Sequence, residues 1–281
     1  MTAPRSPIDS SIDLIVTDLD GTLWDHNTDV HPQNRAALDT VVAAGIPVVA
    51  ATGRRKVSAL RGFAHADLDL PAIVINGAYG FVPGPTAAHE TEFHRHPFEV
   101  ELALVVLEIY ADHGHVPLAH NIDGSTHVSE RATTGPRHRS TFSAADAVRA
   151  EPHDAARDGT VLGFSVIGVA ESEGLPELGA ALLDAGVNVD RYRDPLYGGW
   201  SVMVQAPGVS KWLGVQRYCE FVGLVEPTVL AIGDGGNDVE LLEGADVSLG
   251  IEGGDDQALE VADHVIPPPT QGGWAAVLDY L

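Results

Sequence analysis

The sequence predicts an α/β fold, a parallel-sheet domain interrupted by a second domain of α+β type. Three observations carry the prediction. Short β-branched runs alternate with helical patterns at both ends of the 281-residue chain, each run near the ends gives way to glycine and short polar residues, and the middle of the chain abandons the alternation. Alternation of strand and helix is the mark of βαβ units.

The elements follow in order. IDLIVT (12–17) reads as a buried strand. A helix starts near Pro32, a favoured first-turn residue, carries Ala37, Leu38, Val41 and Val42 on one face and stops at Gly45. IPVVAA (46–51) is the next strand, followed by a helix through Val57, Leu60 and Phe63 and by the strand AIVI (72–75). Toward the other end, a helix over 211–222 precedes the strand TVLAI (228–232) and a helix starting near Asn237. VSLGI (247–251) and DHVIP (263–267) are two more short strands, and a helix over 274–281 closes the chain. Between these halves lie a hairpin at 79–93 and a helix over 98–113 stopped by Gly114. Strands at 161–169, 187–192 and 200–205 follow, with a helix over 174–185 between the first two. This reads as an antiparallel sheet with helices on one side. The expected division is 1–79 and 207–281 for the α/β domain and 80–206 for the insertion.

Composition narrows the class. A hydrophobic share of 44% is ordinary for a globular chain. No apolar run reaches 18 residues, and the start lacks the apolar core of a signal peptide. Cys219 is the only cysteine, so no internal disulfide is available and a reducing, cytoplasmic setting is expected. A formal net charge of −24 repels nucleic-acid phosphates, so nucleic acid and membrane are not expected as partners. The acidity as a whole speaks to solubility.

What stands at the strand ends speaks to chemistry. The first strand runs into Asp18-Leu19-Asp20-Gly21-Thr22, the second into Thr52-Gly53-Arg54, the third into Asn76-Gly77, and TVLAI into Gly233-Asp234-Gly235-Gly236-Asn237-Asp238. Open parallel sheets bind ligands beyond the carboxyl ends of their strands, so four segments bring carboxylates, a threonine, asparagines and glycine-rich backbone to one rim. Several carboxylates on one rim repel each other unless a cation sits among them. An all-oxygen set suits Mg²⁺, which takes one or two carboxylates plus water and phosphate. Lys211 fits the same chemistry. It is one of only two lysines, the other being Lys56, in a chain whose remaining basic residues are arginine. Its ammonium is a compact charge that can sit between a carboxylate and a phosphoryl oxygen, where a planar guanidinium would need more room.

DLDGTL, TGR, the lysine of GVSKWLGV and GDGGND, in this order, resemble the four motifs of the haloacid dehalogenase superfamily of phosphohydrolases. The insertion between the second and third motifs resembles a C2-type cap, and the Cof-like sugar-phosphatase branch is the most similar. The resemblance implies a Rossmann-like core and a Mg²⁺-dependent phosphatase of small phosphorylated metabolites, sugar phosphates foremost. It implies Asp18 as nucleophile and Asp20 as general acid and base. It implies that Mg²⁺ is held by Asp18, the main-chain carbonyl of Asp20 and Asp234, with Asp238 in support. Thr52, Gly53, Lys211 and Asn237 are implied to hold the phosphoryl oxygens. Trp212 departs from the pattern, standing where a small residue is common.

Alternatives remain open at this level. Transfer to a sugar hydroxyl, as in phosphomannomutases, or a non-catalytic phosphometabolite sensor would carry similar motifs. Arg54 reads as a charge partner, and Asn76 either joins the site or only shapes a turn. The histidines His94, His96, His113, His115, His120 and His127 do not close a zinc pattern. In RYRDPLYGGW (191–200), Arg191 and Tyr197 are candidates for contact with a polar substrate body.

Overall fold

The computed structural model describes residues 11–86, 89–143, 146–194 and 196–281. The chain begins with β1 (Leu14–Thr17), α1 (Pro32–Ala43), β2 (Val48–Ala51), α2 (Lys56–Ala66), β3 (Ala72–Val74), β4 (Tyr79–Val82) and β5 (Thr91–Arg95). It continues through α3 (Val100–Asp112), β6 (Leu118–Asn121), β7 (Thr126–His127), α4 (Pro136–Arg139), β8 (Ala147–Val148) and α5 (Pro152–Arg157). Next come β9 (Val161–Val169), α6 (Leu175–Asp184), β10 (Asn188–Arg193) and β11 (Trp200–Gln205). The last stretch holds α7 (Lys211–Val222), β12 (Val229–Gly233), α8 (Val239–Gly244), β13 (Val247–Ile251), α9 (Asp256–Val261) and β14 (His264–Ile266).

Two compact units result. The first comprises residues 11–54, 58–94 and 210–281, and the second comprises 55–57 and 95–209. The first unit holds an eight-stranded sheet in the order β14-β13-β12-β1-β2-β3-β4-β5. Its strands from β14 to β3 pair in parallel. Residues of β1, β2, β3 and β12 are buried throughout. That is why they read as unbroken apolar runs: helices cover both faces of a parallel sheet. Leu14, Val16, Val49, Ile73, Val215 and Leu241 form part of one buried cluster between sheet and helices. The chain leaves β1 toward β2 and leaves the adjacent β12 toward β13, so the strand order switches direction between β1 and β12, where the crevice of an open sheet forms.

The insertion starts later than the sequence suggests. The boundary expected near 80 falls after His94, because β4 pairs antiparallel with β3 (Ala72↔Phe81, Ile73↔Gly80, Val74↔Tyr79) and extends the first sheet's edge with β5. A hairpin's own pattern says nothing about which sheet edge it joins. The first unit resumes at Ser210, three residues past the expected 207. The closing segment also differs, winding as tight 3₁₀ turns over Gly273–Tyr280 instead of an α-helix. Fully buried Trp274 is pinned there, its indole N–H donating to Thr17 Oγ1 at 3.0 Å.

The second unit holds a six-stranded sheet in the order β10-β11-β9-β6-β7-β8. Long β9 pairs antiparallel with both β11 and β6. Phe164 of β9 packs against Phe98 and against Tyr110 of α3, at ring-centroid distances of 5.3 and 6.4 Å. The sequence reading missed β6, β7, β8 and the short helices α4 and α5, none of which is long enough to show a period.

Two histidines of this unit are buried as neutral rings. His120 shares hydrogen bonds with Ser165 Oγ at 2.8 Å and Thr126 Oγ1 at 3.2 Å. Burial, then the nearby Arg55 guanidinium and His138, push its pKa down to about 3. Burial and Arg55 push His138 down to about 4. Arg55 itself is neutralised by Asp146 at 2.7 Å, both side chains nearly inaccessible. A histidine whose folded pKa is depressed takes up its proton only on unfolding, so stability is lost as pH falls from about 6.5 toward the folded value. Each ring is expected to remove roughly 2 kcal/mol of stability between pH 7 and pH 5. Urea unfolding of wild type and His120→Asn across that range checks this: the variant should show a shallower loss, and parallel profiles would refute a buried neutral His120.

Candidate active site

The site is built where β1, β2, β3 and β12 end. Asp18 follows β1 directly, and its main-chain N–H donates to Ile232 O of β12 at 2.9 Å, so two strand ends are laced together at the carboxylate. Beyond it the chain must turn against the β12 loop. A Cβ on Gly21, whose φ is +86°, would stand 2.5 Å from Asp234 Oδ2, and so only glycine fits. Thr22 donates its hydroxyl to Asp234 Oδ1 at 2.9 Å.

Asp238 organises the loop after β12. Its Oδ2 accepts the main-chain N–H groups of Asp234 and Gly235 at 3.1 and 3.0 Å. Its Oδ1 accepts from Lys211 Nζ at 2.6 Å, and the same ammonium donates to Asp18 Oδ1 at 2.7 Å. Lys211 opens α7, whose N-terminus is capped by Ser210 Oγ accepting from Leu213 N at 3.2 Å. The side chain is fully buried, with 0% of it accessible. Gly77, at φ +108°, abuts this turn so closely that a Cβ would lie 1.9 Å from Ser210 O. The β3 loop therefore fixes where the lysine starts.

The electrostatics show a site short of positive charge. Burial raises Asp18 well above the usual carboxylate range; Lys211 opposes this, and Asp238, Asp234 and Asp20 reinforce it. Burial, then Asp238, lifts Asp234 to about 6. Lys211 is held above its ordinary pKa, because attraction to Asp18 and Asp238 outweighs the burial that pulls it down. One oxygen from each of Asp18, Asp234 and Asp238 lies within 4.8 Å of the others, the one His/Cys/Asp/Glu grouping with metal-binding spacing among the described residues. Hard oxygen donors around a deficit of positive charge fit a divalent cation such as Mg²⁺. Both oxygens of Asp238 are already engaged, which leaves Asp18 and Asp234 as the carboxylates best disposed to meet the ion.

The Asp20 carboxylate lies outside that grouping. Arg54 holds it bidentately, Nε to Oδ2 at 2.6 Å and Nη2 to Oδ1 at 2.5 Å, and Trp24 Nε1 donates to Oδ1 at 3.1 Å. Arg54 also lies over the Trp24 ring, 5.0 Å from its centroid. The tight placement needs Gly62 in α2, where a Cβ would sit 2.7 Å from the indole. Arg54 is thus a charge partner, as its sequence context suggests, while Trp24 carried no signal beyond being aromatic.

Thr52, Gly53, Asn76 and Asn237 gather in a second corner. Thr52 Oγ1 accepts from Arg54 N at 3.1 Å, which leaves its own proton to donate. Asn237 Nδ2 donates to Asn76 Oδ1 at 2.9 Å, and a Cβ on Gly53 would be 2.9 Å from that same oxygen. Asn76 Nδ2, also buried, has no hydrogen-bond partner. Leaving a buried donor unsatisfied costs about 1–3 kcal/mol.

Trp212 has a simple accommodation: it lies against Gly244 of α8, where a Cβ would come within 2.4 Å of the indole. Lys56 is half-buried, its stem 3.7 Å from a Cβ built on Gly124. Its side chain is therefore partly packed. Among the described residues, none of the candidate histidines enters a metal-binding grouping. Arg191 lies over the Trp200 ring at 4.6 Å and Tyr197 meets His138 at 4.7 Å, so both pack within that unit.

Residues 15–278 match the family model described as haloacid dehalogenase-like hydrolase. The chain is 25% identical over 281 residues to the 5-amino-6-(5-phospho-D-ribitylamino)uracil phosphatase YitU of Bacillus subtilis, covering 94% of this chain and 96% of that one. It is 27% identical to the pyridoxal phosphate phosphatase YbhA of Escherichia coli, covering 90% and 92%. Among solved structures, a subclass IIB sugar phosphatase shares the fold with a TM-score of 0.72 at 20% identity, over 95% of this chain and 98% of that one. A Thermotoga maritima protein does so with a TM-score of 0.74 at 20% identity, over 96% and 97%. Motif order, strand-end placement and a match spanning both units' sequence lead to one conclusion: the chain is an enzyme and belongs to the haloacid dehalogenase-like hydrolases.

Proposed function

We propose that the protein is a Mg²⁺-dependent phosphatase of small phosphorylated metabolites, sugar phosphates foremost, working through an aspartyl-phosphate on Asp18. The observation that carries the reading is the single buried ammonium of Lys211 shared by Asp18 and Asp238, with Asp234 in metal-binding reach. The phosphatase names of the full-length relatives support the reaction, and the sugar-phosphatase fold neighbour supports the substrate class.

In this mechanism Asp18 attacks phosphorus, forming the acyl-phosphate bond as the ester P–O bond breaks. Asp20 gives its proton to the departing alcohol. It then takes a proton from water as that water attacks phosphorus, and the acyl-phosphate bond breaks to restore the Asp18 carboxylate. Arg54 and Trp24 bond to both Asp20 oxygens, so the proton it donates must occupy a lone pair that those bonds leave over. Thr52, Gly53, Lys211 and Asn237 hold the phosphoryl oxygens, where fixed donors meet developing charge without reorganising. Mg²⁺, held by Asp18, the Asp20 carbonyl and Asp234 with Asp238 behind them, would supply charge neutralisation between nucleophile and phosphoryl group. Lys211 matters before chemistry begins: an acid raised by burial attacks only if it stays ionised, and the ammonium opposes that burial. The partner is a small phosphorylated metabolite, neither nucleic acid nor membrane, in a reducing cytoplasm.

Purified protein should release phosphate from p-nitrophenyl phosphate with Mg²⁺ and stop on chelation, and Asp18→Asn should lose turnover while remaining folded. Full activity in that variant would end the covalent mechanism. Asp20→Asn should bind substrate and fail to turn it over.

Lys211→Arg keeps the charge but cannot place a fork in a fully enclosed slot between two carboxylates. Turnover should fall on the order of a hundredfold, roughly 3 kcal/mol. Lys56→Arg is the control and should keep wild-type rates; equal rates in both variants would remove Lys211 from the mechanism. Lys211→Met should also destabilise the metal-free protein by about 3–5 kcal/mol, because it strands two buried acids, with urea unfolding in chelator as the readout.

A further inference from the structure

We infer that Asn76 is a phosphate-binding residue, its side-chain Nδ2 donating to an oxygen of the bound phosphoryl group. The inference rests on the phosphatase reading for the identity of the ligand. Three observations converge on it.

The first is an orphan donor. Asn76 is 5% exposed, its Oδ1 is held by Asn237 Nδ2, and its own Nδ2 is buried without a partner. Folded chains rarely leave such a donor unmet, and an unmet one invites a ligand. The amide is already oriented by Asn237, so binding would order no further rotamer.

The second is the backbone. Ile75 and Asn76 both sit at φ +52°. Asparagine tolerates the left-handed region, but a β-branched isoleucine there is an outlier held by its surroundings. Its surroundings hold it: Ile75 N donates to Arg54 O at 3.0 Å, Asn76 N to Thr52 O at 3.1 Å, and Gly77 is wedged against Ser210 O. A turn alone would be served at lower cost by glycine, which reaches positive φ freely. What glycine would lack is the amide.

The third is location. The Asn76 amide lies against Gly53 and Asn237, and the loop that carries it touches the residue before Lys211. Thr52, Gly53, Asn237 and Lys211 are the groups the mechanism assigns to phosphoryl oxygens. A fifth donor among them completes the cage from β3, the one strand end otherwise without a side-chain role.

Titration calorimetry with inorganic phosphate in the presence of Mg²⁺ tests the assignment without requiring turnover. Asn76→Asp keeps an acceptor for Asn237 and loses the donor; Asn76→Gly loses the donor without adding charge and suits the positive φ. Both are expected to bind phosphate at least tenfold more weakly than wild type, with circular dichroism confirming the fold. Unchanged affinity in Asn76→Gly would overturn the inference, as would a wild-type protein that binds no phosphate. A wild type that binds phosphate, loses that affinity in both variants and yet hydrolyses no phosphomonoester would uphold Asn76 and refute the phosphatase reading instead.

Discussion

A single buried ammonium holds the first unit's chemistry together. Lys211 Nζ reaches Asp18 from the first strand and Asp238 from the loop after β12, and the side chain has no accessible surface. Removing a charge from water is costly unless hydrogen bonds and opposite charges replace the solvent, and here two carboxylates do so. The constraint then spreads. Asp238 spends its other oxygen on two main-chain N–H groups, which shapes the loop that presents Asp234, and Asp234 in turn closes on Thr22 and the Gly21 turn. Three acids and one base leave a deficit of positive charge that burial magnifies, and the raised pKa values of Asp18 and Asp234 express it. A divalent cation and a phosphate dianion would enter as complementary charges, each making room for the other.

Much of this was legible in the residues. The strand-end positions of Asp18, Asp20, Thr52, Asn76, Asp234 and Asp238 follow from apolar runs that stop at glycine and short polar residues, and a parallel sheet brings such ends to one rim. The near-uniqueness of lysine pointed to position 211. Other features had no local signature. Arg54 gripping Asp20 depends on Gly62 leaving space one helix away, and the idle amide of Asn76 emerges only once Asn237 has claimed its oxygen. The edge hairpin β4–β5 and the 3₁₀ form of the last segment likewise depend on what they pack against: the free side of β3 for the one, and Thr17 beneath Trp274 for the other.

The second unit follows a different logic. Its sheet buries polar side chains that satisfy one another: His120 between Thr126 and Ser165, and Arg55 with Asp146. Both His120 and His138 are held neutral by burial and by the same guanidinium. Such a network is stable only while complete, since any member left alone becomes a buried unmet group.

The site as proposed depends on a divalent cation among the acids around Lys211. Anomalous diffraction at the manganese edge, from crystals grown with Mn²⁺ in place of Mg²⁺, tests it directly. The predicted result is one strong peak at roughly 2.0–2.2 Å from carboxylate oxygens of Asp18 and Asp234, with Lys211 still bonded to Asp18. A peak among the histidines of the second unit, or none near Asp18, would contradict it.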